Sequence, residues 1–307
     1  MRDVTPATRQ AIEALASDRT HGAAWLAREA ANVMARAAEE NPAQTPRQMI
    51  SALREVAQAL AAAQPRMAAV SNAVGAVLLA ADTAAAADTA AAASNVGPVR
   101  RAAVADARRI VAGWEGTARR IARYAQAAVP RGPILTHSHS ATVLAVLERL
   151  ARRGAPVVVT ESNPLGEGRT TARLLADRGL PVSLIADAQA GAFVSQVAAV
   201  LVGADTVFAD GAVVNKVGTL ALALLARQAR VPFFVASESL KVAPSRWEVT
   251  AETPPLGSSP EVSPAIYFDV TPPRLITALI TEDGVFGPRQ LAPLARRARR
   301  WQRALSP

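Results

Sequence analysis

The chain has 307 residues, half of them hydrophobic and 19% charged, enough for about two domains with a sizeable core. It has no cysteine and three histidines, which excludes disulfides, zinc–thiolate sites and a cysteine nucleophile and disfavours a dedicated metal cage. The net charge of +9 is carried largely by arginine spread over every segment with few aromatics, a compositional bias more than a nucleic-acid surface.

From Thr5 to about Val129 the chain reads as helix, dominated by alanine, leucine, glutamate and arginine. Breaks fall at Asp18-Arg19-Thr20-His21-Gly22, Asn41-Pro42, Gln64-Pro65 and Asn95-Val96-Gly97-Pro98. The longest apolar stretch, Val74 to Ala93, is mostly alanine and carries Asp82 and Asp88, which argues against a membrane helix. The start Met1-Arg2-Asp3 lacks the apolar core of a signal peptide, so the expected location is the cytoplasm.

After Pro130 short apolar runs alternate with helical stretches. Pro133–Thr136 precedes a helix near Ser140–Arg153, and Pro156–Thr160 precedes one near Arg169–Arg178. Pro181–Ile185 leads into Ala188–Val197, Thr206–Ala209 into Val217–Arg227, and Val231–Ala236 follows as the fifth strand. This alternation predicts an α/β fold: a helical N-terminal domain over residues 1–129, then a Rossmann-like, doubly wound, mostly parallel sheet over 130–307 that carries most of a ligand pocket. The arginine run from Arg296 to Arg303 reads as the solvated end of a terminal helix, where cations suit the dipole.

In such sheets ligands bind beyond the carboxyl ends of the strands. There the sequence places His137-Ser138-His139-Ser140, the loop Glu161 to Arg169, Asp187, Gly203-Ala204-Asp205, Asp210-Gly211, Asn215-Lys216, Glu238 and Lys241. Acids, amides and cations at five successive strand ends suit a polyhydroxylated, phosphorylated small molecule. For Ser140, Asp187 and Asp210 a capping role competes on even terms. Asn215-Lys216 reads as the entry to a helix whose N-terminus favours anions. In the N-terminal part, His21-Gly22-Ala23 opens a helix whose amides can approach an anion, with Arg19 adding charge, so the helical domain is expected to close over the crevice. The chain has no dinucleotide fingerprint, no P-loop and no nucleophile elbow.

These motifs, together with Asp210–Thr219, Ala236–Lys241 and the closing run Phe268–Thr277, resemble the family that holds the α, β and δ subunits of eukaryotic initiation factor 2B. That family also includes methylthioribose-1-phosphate isomerase and ribose-1,5-bisphosphate isomerase. The resemblance spans the C-terminal half and reaches the N-terminal half at Arg19–Ala23 and Pro65-Arg66. It implies an aldose-to-ketose isomerisation of a sugar 1-phosphate without a metal or organic cofactor, in a homodimer or higher homo-oligomer; that no membrane partner is expected and nucleic acid is disfavoured rests on the composition.

In the family's enzymes a cysteine at the position of Ser138 and an aspartate at that of Asp205 shuttle the protons. Ser140, Asn215, Lys216 and Lys241 match the substrate-binding pattern, and Arg19, His21, Gly22, Ala23, Arg66, His137, Glu161 and Arg169 complete the expected ligand contacts. Asn163 stands where many relatives carry arginine. Serine is a far weaker acid than cysteine, so either another base acts or the pocket only binds, as a sensor or assembly protein would. His139 is the expected substitute base and Asp205 its partner acid.

Overall fold

The computed structural model describes residues 5–18, 21–87, 95–247 and 266–306. The chain forms two compact units, one of Met1–Glu115, Leu240–Pro244 and Leu294–Pro307, the other of Gly116–Ser239 and Ser245–Pro293.

The first unit is helical. Its helices are α1 (Pro6–Ser17), α2 (Ala23–Glu40), α3 (Pro46–Ala63), α4 (Ala68–Ala86) and α5 (Gly97–Ala112), and α1, α2 and α3 end at the breaks the sequence marks. Local chemistry sets the starts. The Thr5 hydroxyl accepts from the Thr8 amide ahead of Pro6, and Thr45 and Gln48 form a reciprocal capping box around Pro46. Met49, Leu53, Val56, Ala57 and Leu60 line the buried stripe of α3 at helical spacing. Each fully buried leucine there is worth about 1.5–3 kcal/mol.

Helix α4 is long and apolar enough to cross a membrane by length and composition, but most of it is buried in this core with α2, α3 and α5 as neighbours. Its buried Asn72 donates at 2.7 Å to the carbonyls of both Leu240 and Val242 and accepts from Gln302 Nε2 at 3.2 Å. One buried amide thus ties two distant pieces of sequence into the unit.

The second unit begins with α6 (Trp114–Ala128) and alternates β1 (Ile134–Thr136), α7 (Ala141–Ala151), β2 (Val157–Thr160), α8 (Glu167–Ala176), β3 (Val182–Ile185), the short α9 (Ala190–Phe193) and β4 (Ala199–Val202). Then follow β5 (Thr206–Phe208), β6 (Val213–Lys216), α10 (Thr219–Ala229) and β7 (Phe233–Ala236); the two-residue β8 (Val242–Ala243) falls in the first unit. β9 (Phe268–Thr271), β10 (Ala278–Thr281) and β11 (Gly284–Phe286) complete the strands.

The main sheet runs β11-β10-β7-β4-β1-β2-β3, parallel except for the β10–β11 hairpin. Its six parallel strands follow the 3-2-1-4-5-6 order of a doubly wound fold, with the switch point between β1 and β4. β2, β4 and β7 are buried along their whole length, so they read as continuous apolar runs rather than alternations.

Three expectations need correction. Thr206–Phe208 is not the fourth strand of the parallel sheet. It pairs antiparallel with β6 in a small second sheet, and Ala199–Val202 takes the fourth place. The apolar run Val197–Val202 follows an alanine-rich segment and carries no period to separate strand from helix, so the strand went unread. That alanine-rich segment, expected as a helix over Ala188–Val197, is a chain of short turns, 3₁₀ at Asp187–Gln189, α at Ala190–Phe193 and 3₁₀ again at Val194–Gln196. Asn215 and Lys216 end strand β6 and do not enter a helix, because β9 pairs with them residue for residue, Asn215 with Asp269 and Lys216 with Phe268.

Candidate functional site

At the end of β1 the backbone turns sharply. Ser138 has φ +68°, a left-handed conformation that serine seldom adopts. Its amide donates to Ser162 Oγ at 2.6 Å, and its carbonyl accepts from the Thr171 hydroxyl at 2.9 Å. Ser162, fully buried at the end of β2, is itself left-handed at φ +65°. Its own amide and that of Asn163 donate to the two oxygens of Asp187 at 2.7 and 2.8 Å. The ends of β1, β2 and β3 are therefore joined by short hydrogen bonds that hold two uncommon backbone conformations in place.

His137 is buried and fully engaged. Its Nε2 lies 2.7 Å from the Val217 carbonyl, which can only accept, so the proton sits on Nε2. Nδ1 then accepts from Thr160 Oγ1 at 2.6 Å. Burial pushes its pKa down, and the bond to Val217 opposes that only in part. Gly218, at φ +102°, makes room for the ring, since a Cβ there would lie 2.9 Å from it. These contacts bring the β6–α10 turn against the end of β1.

His139 is exposed, but its Nδ1 lies 3.0 Å from Thr171 Oγ1. Desolvation within the loop lowers its pKa, and the Glu167 carboxylate opposes the shift. Ser140 caps α7, its hydroxyl accepting from the Val143 amide at 3.4 Å. Gly203, which follows β4, packs against it, so the loop carrying Asp205 borders the β1 turn. Asp205 is half-buried, and its amide donates to the Val214 carbonyl at 2.9 Å. From the end of β7, the buried Glu238 accepts from Thr142 in the first turn of α7.

Lys216 is buried at the end of β6, its ammonium 2.7 Å from Glu167 and over the rings of Tyr267 and Phe268. The other Glu167 oxygen is buried with no hydrogen-bond partner among the described residues. Asn215 donates to Thr219, which donates back to the Lys216 carbonyl. Glu161 and the exposed Arg169 pair with each other. Asp269 accepts from the amides of Gly218 at 2.8 Å and Leu220 at 3.1 Å, and burial raises its pKa to about 6 against those bonds. The anion at the start of α10 is thus the chain's own.

The second unit brings together His137, Ser138, His139, Ser140, Glu161, Arg169, Asp205, Asn215 and Lys216 along the strand ends. The remaining candidates belong to the first unit. His21 stacks on Trp25 with ring centroids 3.8 Å apart and contacts Asp18, and Gly22 and Ala23 open α2. Arg66 is exposed, Lys241 is buried, and Arg19 lies outside the described residues. No cluster of metal-ligating side chains occurs among the described residues. The sequence reading missed Thr160 and Thr171, and it included Ser162, Glu167 and Asp269 only within longer runs without a role for each. Glu167 and Thr171 had a usable signal, since they stand four apart at the start of a helix and so share a face.

Comparison with known proteins agrees with this architecture. The chain is 32% identical to the ribose 1,5-bisphosphate isomerase of Haloterrigena turkmenica over 96% of its own length and 94% of the relative's. It is 31% identical to a putative translation initiation factor eIF-2B subunit 2-like protein of Pyrococcus abyssi, covering 90% of this chain and 95% of that one. Among solved structures it matches the Pyrococcus horikoshii translation initiation factor eIF-2B with a TM-score of 0.75 at 29% identity, over 93% of this chain and 98% of that one. The model of the Initiation factor 2 subunit family matches residues 19–288, and the chain belongs to that family.

Proposed function

We propose that this chain binds a phosphorylated pentose at the strand ends of its second unit and isomerises it from aldose to ketose. The observation that carries the reading is the border between the β1 turn, with Ser138 and His139, and the Asp205 loop, made where Gly203 packs on Ser140. Such an isomerisation takes a proton from C2 of the sugar and delivers one to C1, so it needs a base and an acid close together. The reading gives these roles to His139 and Asp205. Ser138 and the first turn of α7 offer hydroxyl and amide donors to the ligand, and Lys216 offers a cation. Near-full-length relatives named ribose 1,5-bisphosphate isomerase support the choice of a pentose phosphate. No cofactor enters the proposal, which places the protein in the cytoplasm as a homodimer or higher homo-oligomer.

Ser138 favours a second reading, in which the pocket binds the sugar phosphate without converting it. Relatives named as initiation factor subunits fit that role. A thermal-shift series with ribose 1,5-bisphosphate, methylthioribose 1-phosphate and nucleoside monophosphates, with NMR analysis of products, separates the two. A true ligand at a hundredfold excess over its Kd should raise Tm by about 5 °C. A shift with ketose formation that is lost in Asp205→Asn supports the isomerase, and a shift without conversion supports the binder. No shift from any sugar phosphate removes both.

A further inference from the structure

Thr171 is a buried residue in the second turn of α8, and its single hydroxyl touches two parts of the β1 turn. It lies 2.9 Å from the Ser138 carbonyl and 3.0 Å from His139 Nδ1. A carbonyl can only accept, so the one hydroxyl proton goes to Ser138. The lone pair that remains faces His139 Nδ1, which must then carry a proton. Neutral imidazole has one N–H proton, so placing it on Nδ1 leaves Nε2, the outer nitrogen, with a lone pair. His137, two residues away, has the opposite arrangement, because its Nε2 donates to Val217 and its Nδ1 accepts from Thr160.

We propose that Thr171 is a positioning residue that holds the exposed His139 in the Nδ1–H tautomer, leaving Nε2 as the basic atom. Glu167, one turn earlier on the same face of α8, supports the imidazolium that forms when Nε2 takes a proton. A buried hydroxyl here does what a carboxylate does behind the histidine of a hydrolase triad, fixing which nitrogen is basic. It does so without adding a charge, so the imidazole stays readily deprotonated. The positioning role rests on the isomerase reading, whereas the tautomer does not.

The test is a long-range proton–nitrogen NMR spectrum of the histidine rings in the full-length protein, recorded well above the imidazole titration range, with His139→Gln to assign the signals. The expected result is two opposite tautomers, Nε2–H for His137 and Nδ1–H for His139. Thr171→Val should move His139 to the Nε2–H form that unconstrained neutral histidine favours, and Thr171→Ser should keep the wild-type pattern. Under the isomerase reading, Thr171→Val also lowers kcat about tenfold or more with KM little changed, and Thr171→Ser restores it. An Nε2–H tautomer on His139 in the wild type, or an unchanged spectrum in Thr171→Val, overturns the inference. If Thr171→Val does not fold, the wild-type and Thr171→Ser spectra decide. Wild-type protein that shows the expected tautomers but never turns over a sugar phosphate defeats the isomerase reading and leaves the tautomer assignment standing.

Discussion

The helical unit and the strand ends of the sheet unit solve opposite problems. In the first, alanine, leucine and valine pack around α4, and capping side chains start α1 and α3. Asn72 departs from that pattern, a buried amide with three hydrogen bonds. In the second, the ends of β1, β2 and β6 and the turns beyond them bury a histidine, a lysine, a serine and threonines, and hold two serines in left-handed conformations. The first region draws its order from area removed from water, which tolerates repacking. The second draws it from hydrogen bonds of fixed direction, which do not. Shape alone serves a core, but placing reactive atoms demands direction.

The sharpest way to break this contrast is to make one small change in both regions. A Cβ at Gly168 would lie 1.7 Å from the Thr160 carbonyl oxygen, and one at Gly75 would lie 2.3 Å from that of Trp301. Gly168→Ala should cost about 3 kcal/mol or more in a urea melt and abolish ligand-induced stabilisation. Gly75→Ala should cost about 2 kcal/mol, as α4 and the helix Ala292–Ala304 that carries Trp301 can part slightly. Equal losses of ligand response in the two variants would erase the distinction.

Asp269 gives the next effect. Its folded pKa of about 6 lies above the ordinary carboxylate value, so the native state holds the proton more tightly than the unfolded chain. Its contribution to stability is therefore greatest below the ordinary value and is lost as pH rises through the window up to about 6, by about 3 kcal/mol in total. Asp269→Asn keeps an acceptor for the α10 amides and should remove that component from the wild-type curve of stability against pH. Parallel curves for the two proteins would show that the carboxyl does not titrate as its burial requires.

The smallest effect separates capping from binding. Ser140→Ala and Thr45→Ala each remove an N-cap and should each cost about 1 kcal/mol of stability. Only Ser140→Ala should also weaken sugar-phosphate binding. If both leave binding untouched, Ser140 is a cap and nothing more.

Much of the architecture was legible in the sequence because helix breaks and buried parallel strands leave local marks. Gln64-Pro65 ends α3 where the residues indicate, and Val157–Thr160 reads as a buried strand from its apolar run. Ala199–Val202 did not, because its strand character comes from lying between β1 and β7 and not from its own pattern. The candidate site was half legible. His137 and Ser138 follow from the strand-end rule, Asp205 and Lys216 were named beside Thr206–Ala209, a run that lies in the second sheet, and the groups that orient the site are ordinary threonines and serines brought close by the fold. Helical spacing sets Thr171 on the face of Glu167, but only the packing of α8 on the β1 turn shows what its hydroxyl touches.

Asp187 and Asp269 have a further consequence for traffic into the crevice. Each carboxylate already occupies a pair of backbone amides, at the start of the β2–α8 loop and at the head of α10, of the kind that elsewhere cradles phosphate. A dianion arriving from solvent would have to evict a tethered competitor of like charge at either turn. On the sugar-phosphate reading, these two plugged sockets would leave an incoming phosphate little to gain there, and its orientation would be sorted by exclusion from both turns before any specific contact is made.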